Sequence, residues 1–320
     1  MQGRLFEVGV IVVPSYFVLL VVGFAFATLL GTLWAKRVGE NPDVIVDLGL
    51  SMLLFGVLGG RLLHVLADGY FWDYVHLCTD PSLVEWKITK LECVRTTDPG
   101  LGAFFGDSGE AIGTWDAAAQ VCRPKESDCF AWARFWAGGL TYYGGFLGAS
   151  VAALWFLRRD RFPFWKAADM AGMFVPLGLA FGRVGCLLGG CCFGSPTSSF
   201  LGLVFPPGSA ASVAQARDGA LDHAHLASLA VHPTQLYEAW ASLLLAGVLT
   251  FWLHGRKRYD GQVFFAFVGG YALLRFLIEF VRADDRGGLA GWSTSQWVGL
   301  VLAAAAWSGH RILLARDRRG

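Results

Sequence analysis

Charge is scarce in this chain. Only 16% of its 320 residues are Asp, Glu, Lys or Arg, where a soluble domain carries about a quarter. That shortage argues against a water-soluble domain. Charge of one sign is lacking too: 26 Lys and Arg face 25 Asp and Glu, for a formal +1. So small a sum says little about partners, because the placement of charge matters more; no nucleic-acid partner is expected. A cleavable signal peptide is also missing. The first apolar stretch follows few polar residues and is too long for a signal, so it reads as an anchor that stays.

What is present is apolar. Hydrophobic residues make up 55% of the chain and the mean hydropathy is +0.49. Stretches long enough to cross about 30 Å of hydrocarbon lie at 9–34, 45–66, 137–157, 167–189, 231–253, 261–281 and 294–312. The expected fold is therefore an all-α polytopic membrane protein of about seven transmembrane helices, a single membrane domain over 1–320. A long polar segment, 67–136, and a Gly/Ser/Pro-rich segment, 190–230, interrupt the pattern.

Basic residues orient the spans. Lys36 and Arg37 follow the first, Arg158, Arg159, Arg161 and Lys166 follow the third, and Arg256, Lys257 and Arg258 follow the fifth. Arg311, Arg316, Arg318 and Arg319 close the chain. Every second junction is basic, which places those junctions and the C-terminus in the cytoplasm, and the N-terminus and both long segments outside. Cys78, Cys93, Cys122 and Cys129 then fall in an oxidising compartment. Two disulfides are expected there, with the pairing open.

Polar residues inside spans are costly in lipid and are candidates for function. At about 1.5 Å per helical residue, Arg61, Arg183 and Arg275 lie about 21–24 Å from the cytoplasmic starts of their spans. Measured from outside, Tyr16, Thr141 to Tyr143, and Gln235, Tyr237 and Glu238 lie about 6–10 Å deep. All fall in the outer third of the bilayer. Asp169 is the one clear polar residue of the inner half, so no ionisable row continues inward as a channel or transporter would need. Tyr271, Arg275, Glu279 and Arg282 recur at helical spacing and share a face, where Glu279 can neutralise either arginine. Arginines on two spans at one depth suit a shared anion such as a lipid phosphate; the plainer reading is ion pairs between helices. Glycines flank the same layer: Gly138-Gly139 and Gly144-Gly145 around Tyr143, and Gly182, Gly185, Gly189, Gly190 and Gly194 around Arg183. They permit close packing and leave backbone N–H groups open. The helix is expected to break past Gly189 and to bend at Pro176.

The stretches GGLTYYGG (138–145), ADMAGMFVPLGLAFGRVGCLLGGCCFG (168–194), HPTQLYEA (232–239), GYALLRFLIEFVR (270–282) and STSQW (293–297) together resemble the phosphatidylglycerol–prolipoprotein diacylglyceryl transferases. SYFVLL at Tyr16 and GGRLLHVL at Arg61 are weaker matches. The resemblance covers nearly the whole chain. It implies transfer of a diacylglyceryl group from phosphatidylglycerol to the lipobox cysteine of a prolipoprotein, with glycerol phosphate released, on the outer face of the bacterial inner membrane. It also implies a seven-span fold with a small periplasmic head, here the 190–230 segment, and needs no cofactor or metal. By the same resemblance Arg183 and Arg275 bind the lipid phosphate. Tyr16, Gly194, Tyr271 and Glu279 fall on site positions, and Gln235, Tyr237 and Glu238 line the pocket.

Three departures stand out. Tyr143 occupies the place of a family histidine, Cys186 that of an asparagine, and Cys191 that of an acidic residue. A neutral tyrosine is a poor base near neutral pH, so His64 and His232 are alternative proton acceptors. Cys186, Cys191 and Cys192 read most plainly as small buried residues; as a metal site they lack a fourth ligand and ordinary zinc spacing, and a disulfide or a lipidated intermediate are further readings. The 67–136 segment exceeds what the family fold requires and is expected to form an inserted cap. Two other functions fit the same residues: a lipid binder that lost the chemistry, or a transferase with another acceptor.

Overall fold

The computed structural model describes residues 4–8, 11–67, 69–86, 93, 113–134, 140–223, 225–283, 288–289 and 291–318. Gly138 and Gly139, and residues 68, 87–92, 94–112 and 135–136 of the expected cap, lie outside the described residues. Two short strands, β1 (Arg4–Val8) and β2 (Ile11–Pro14), precede a chain that is otherwise mostly helical. Six helices are long and apolar enough to cross a membrane: Ser15–Arg37, Pro42–Ala67, Phe164–Gly189, Thr234–Arg256, Gln262–Val281 and Thr294–Asp317. We label them α1 (Ser15–Arg37), α2 (Pro42–Ala67), α5 (Phe164–Gly189), α7 (Thr234–Gly247, extended by further turns to Arg256), α8 (Gln262–Ile278, with a last turn to Val281) and α9 (Thr294–Asp317). The seventh stretch, expected at 137–157, forms α4 (Tyr142–Arg159). It opens on Tyr142-Tyr143-Gly144-Gly145 and closes on Arg158-Arg159, which leaves too short an apolar run to rank with the other six.

The chain divides into two compact units, one of residues 1–5, 14–46 and 162–320, the other of 6–13 and 47–161. In the smaller unit α2 and α4 approach through glycine. A Cβ on Gly59 or Gly144 would run into the other's carbonyl, and one on Gly148 into that of Phe55. Thr141 ties the start of α4 to Gly60, whose carbonyl accepts from its N–H at 3.1 Å and its hydroxyl at 2.9 Å. Beyond α2 come α3 (Phe71–Thr79) and the hairpin β3 (Gly113–Asp116) and β4 (Val121–Pro124). Disulfides join Cys78 to Cys129 and Cys93 to Cys122. All four cysteines of the polar segment are therefore paired.

In the larger unit α5 packs against α1, α7 and α8, and α8 against α9. Phe181 covers Gly23, and the backbone at Phe264 covers Gly172, where a Cβ would come within 3.0 Å. Asp169 is fully buried and locks this bundle: it accepts from Lys257 Nζ at 2.8 Å and from the Phe264 N–H at 3.1 Å. Asp169 is thus a packing residue. α5 runs unbroken through Pro176 and stops at Gly189, where Gly190 turns left-handed at φ +72°. The break expected past Gly189 is there. The following segment carries α6 (Ala210–Arg217) and a small core of Phe205, Ala211 and Val231.

Candidate functional site

The end of α5 and the chain just beyond it supply the densest group of polar residues. Arg183 and Cys186 lie one turn apart on α5, and Tyr16, in the first turn of α1, packs on Gly185 between them. After Gly190 the chain doubles back, with Cys192 at φ +61°, a conformation side chains rarely adopt. The start of α7 pins this return: Gln235 Nε2 donates to the Cys191 carbonyl and Thr234 Oγ1 to the Cys192 carbonyl, each at 2.6 Å. Gly194 then passes between two strands of chain. Its N–H donates to the His232 carbonyl at 2.8 Å, and a Cβ there would come within 2.5 Å of the Val281 carbonyl and 2.7 Å of His232 Cβ. Only glycine fits this position.

Charge is matched across helices. Arg183 Nη2 lies 2.8 Å from Glu238 Oε1, and Glu238 is fully buried on α7. The Tyr271 hydroxyl, from α8, donates to the same oxygen at 2.8 Å. Three helices therefore meet at one carboxylate. Glu238 Oε2 is buried and without a hydrogen bond among the described residues. One turn beyond Tyr271, Arg275 pairs with Glu279 at 2.7 Å, both well buried. Glutamates thus hold both arginines in place. An arginine presents five N–H donors, more than a carboxylate can take, so Arg183 keeps capacity for an anion beside its partner.

The smaller unit uses its polar residues differently. Arg61 is buried and donates to the carbonyls of Ala131 (2.6 Å) and Trp132 (2.5 Å) and to Tyr74 Oη (3.1 Å). It fastens the polar segment to α2. Burial raises the Tyr74 pKa, while the charge and hydrogen bond of Arg61 oppose the rise. His64 Nε2 sits 3.4 Å from the same hydroxyl. Tyr143 is 71% exposed on α4, edge-on to Tyr142. Tyr237 Oη lies 3.2 Å from His232 Nδ1 in the larger unit.

Sequence reading brought Arg183, Arg275, Tyr271, Glu279 and Glu238 into one layer, but missed Glu238 as the partner of Arg183 and Thr234 as the clasp on Cys192. The threonine immediately after a proline at a span's start is the only local sign of that clasp.

Residues 4–133 and 125–310 match the prolipoprotein diacylglyceryl transferase family. A phosphatidylglycerol–prolipoprotein diacylglyceryl transferase of Clostridium tetani is 24% identical over 300 residues, 94% of this chain and 93% of its own. One of Clostridium perfringens is 26% identical over 292 residues, covering 90% and 86%. One of Bordetella parapertussis reaches 35% over 184 residues, covering 57% and 63%. The match spans both units, from the first strands to the last helix, and includes the buried arginine layer: the chain belongs to the prolipoprotein diacylglyceryl transferase family.

Proposed function

We propose that this multi-pass membrane protein transfers a diacylglyceryl group from phosphatidylglycerol to a prolipoprotein, with Arg183 and Arg275 receiving the lipid phosphate. The observation that carries the residue assignment is the pairing of each arginine with its own buried glutamate, Arg183 with Glu238 between α5 and α7 and Arg275 with Glu279 along α8. Such pairing fixes the guanidinium planes before substrate arrives, and preorganised cations stabilise charge as it develops on a leaving group.

The acceptor is the thiol of a lipobox cysteine, which attacks the glyceryl carbon bearing the phosphate ester and forms a thioether. The C–O bond breaks and glycerol phosphate departs. Tyr271 holds Glu238, and through it Arg183, in register. Tyr16 and Gly194 border the space beside Cys186, and Gln235, Tyr237 and Glu238 wall it from α7. Arg61 anchors the polar segment within the smaller unit. Tyr143, on α4, is chemically suited to donate a hydrogen bond rather than to act as a base.

In this reading the C-terminus is cytoplasmic and the site faces the outer leaflet of the bacterial inner membrane, with α4 as a seventh, short span and the disulfide-bonded segment outside; the basic junctions support that orientation. Complementation tests the reading: a bacterium depleted of its own transferase should regain lipidation of a reporter prolipoprotein when it expresses this chain. Failure of a well-inserted chain to lipidate the reporter would count against it.

A further inference from the structure

We propose that Cys186, Cys191 and Cys192 form a three-thiolate site for zinc whose open fourth position takes the acceptor thiol. Its catalytic role rests on the transfer reading above; its metal binding does not.

The three Sγ atoms all lie within 4.8 Å of one another. Three sulfurs around a zinc ion at about 2.3 Å each stand about 4 Å apart, so the spacing needs little adjustment. None of the three is in a disulfide; Cys186 is buried and the other two are half-buried. They are also held there by unusual means. A helix ends, Gly190 reverses the chain, Cys192 takes a left-handed φ of +61°, and two side chains of α7 clamp the carbonyls of Cys191 and Cys192. A non-glycine residue rarely adopts that conformation, and three merely space-filling thiols would not require it.

Cationic side chains stand beside the cluster. Arg183 lies one turn from Cys186, and Arg282 hydrogen-bonds the Cys192 thiol. Catalytic zinc sites keep one position open where structural ones close all four. Among the described residues the group offers three ligands, a weakness for a structural site but the number that a catalytic one requires.

A thiol that coordinates zinc loses its proton outright, which supplies the thiolate that Tyr143 is too weak a base to make. The proton passes to solvent. The sulfur's electron pair forms the C–S bond at the glyceryl carbon, and the pair of the breaking C–O bond leaves on the phosphate. A monoanionic lipid and a thiolate become a neutral thioether and dianionic glycerol phosphate. No oxidant or reductant enters.

The test uses the reduced full-length protein in detergent, titrated with Co(II) and then Zn(II). One equivalent of Co(II) should produce a near-ultraviolet thiolate-to-cobalt band that Zn(II) abolishes. The band should be lost in C186S, C191S and C192S. It should shift when a lipobox peptide is added and stay unchanged with the same peptide carrying serine for cysteine. Absence of the band, its survival in the triple variant, or indifference to the peptide thiol overturns the proposal. Undiminished transfer after chelation overturns it too while leaving the transferase reading intact. No transfer by zinc-loaded protein whose band responds to peptide counts against the transfer reading instead.

Discussion

Arg183 on α5 and Glu238 on α7 meet at 2.8 Å, with the glutamate wholly removed from solvent. Breaking a buried pair by removing one partner costs about 3–5 kcal/mol. Glu238→Ala is therefore expected to lower the thermal midpoint in detergent and abolish transfer. Glu238→Gln retains an oxygen for the Tyr271 hydroxyl and should lose activity more than stability. Differential scanning fluorimetry beside a transfer assay separates the two effects; undiminished transfer by Glu238→Gln would contradict the role given to charge.

Gly194 offers a steric test with an internal control. An added methyl meets the Val281 carbonyl and His232, and overpacking costs about 1–3 kcal/mol. At Gly189, the last residue of α5, a Cβ meets nothing within 4 Å. Gly194→Ala should reduce transfer sharply, and Gly189→Ala should leave it within about twofold, a change of under 0.5 kcal/mol. Similar rates for both variants would show that the close passage at Gly194 is not needed.

The disulfides predict a labelling pattern. Without reductant, alkylation of the denatured, chelator-treated chain should mark Cys186, Cys191 and Cys192 and leave Cys78, Cys93, Cys122 and Cys129 unmarked. Replacing Cys93 and Cys122 together with serine should cost about 2–4 kcal/mol, read as a lower unfolding midpoint. Peptide mapping that links Cys78 to Cys93 or to Cys122 would contradict the pairing.

Lys257 supplies a pH dependence. Burial alone would lower its pKa, but hydrogen bonds and charge from Asp169 and Asp260 outweigh that and raise it. A folded pKa above the unfolded value means the stabilisation is complete below about pH 10.4. It is lost as pH rises through the higher folded value. Lys257→Met, which strands the buried Asp169, should lower stability at neutral pH by about 3 kcal/mol or more, and the difference from wild type should narrow in strong alkali. A constant difference across that range would show that the ion pair is not its source.

Much of this arrangement was legible in the sequence, for identifiable reasons. Arg275 and Glu279 are four residues apart on one helix, so periodicity alone brings them together. The glycine run past Gly189 announced the end of α5. Arg183 and Glu238 are joined only by the packing of α5 against α7, which no local pattern encodes. Four cysteines allow three pairings, and the choice between them depends on a hairpin that hydropathy does not reveal. Arg61 has the depth of the other arginines, yet its guanidinium serves backbone carbonyls of a distant polar segment. Depth locates a residue along its span without saying which way it faces. The third stretch carried enough apolar residues to suggest a span, but its helix opens on two tyrosines and two glycines and closes on two arginines, which shortens the apolar run.

The most direct test of the central claim is transfer by the purified chain in phosphatidylglycerol nanodiscs with a lipobox peptide, following glycerol phosphate release and peptide mass together. The account predicts both products in equal amounts from wild type, and a loss of about 10²–10³-fold in kcat for Arg183→Ala and for Arg275→Ala. Unchanged turnover in either variant, or no release by the wild-type chain, would contradict it.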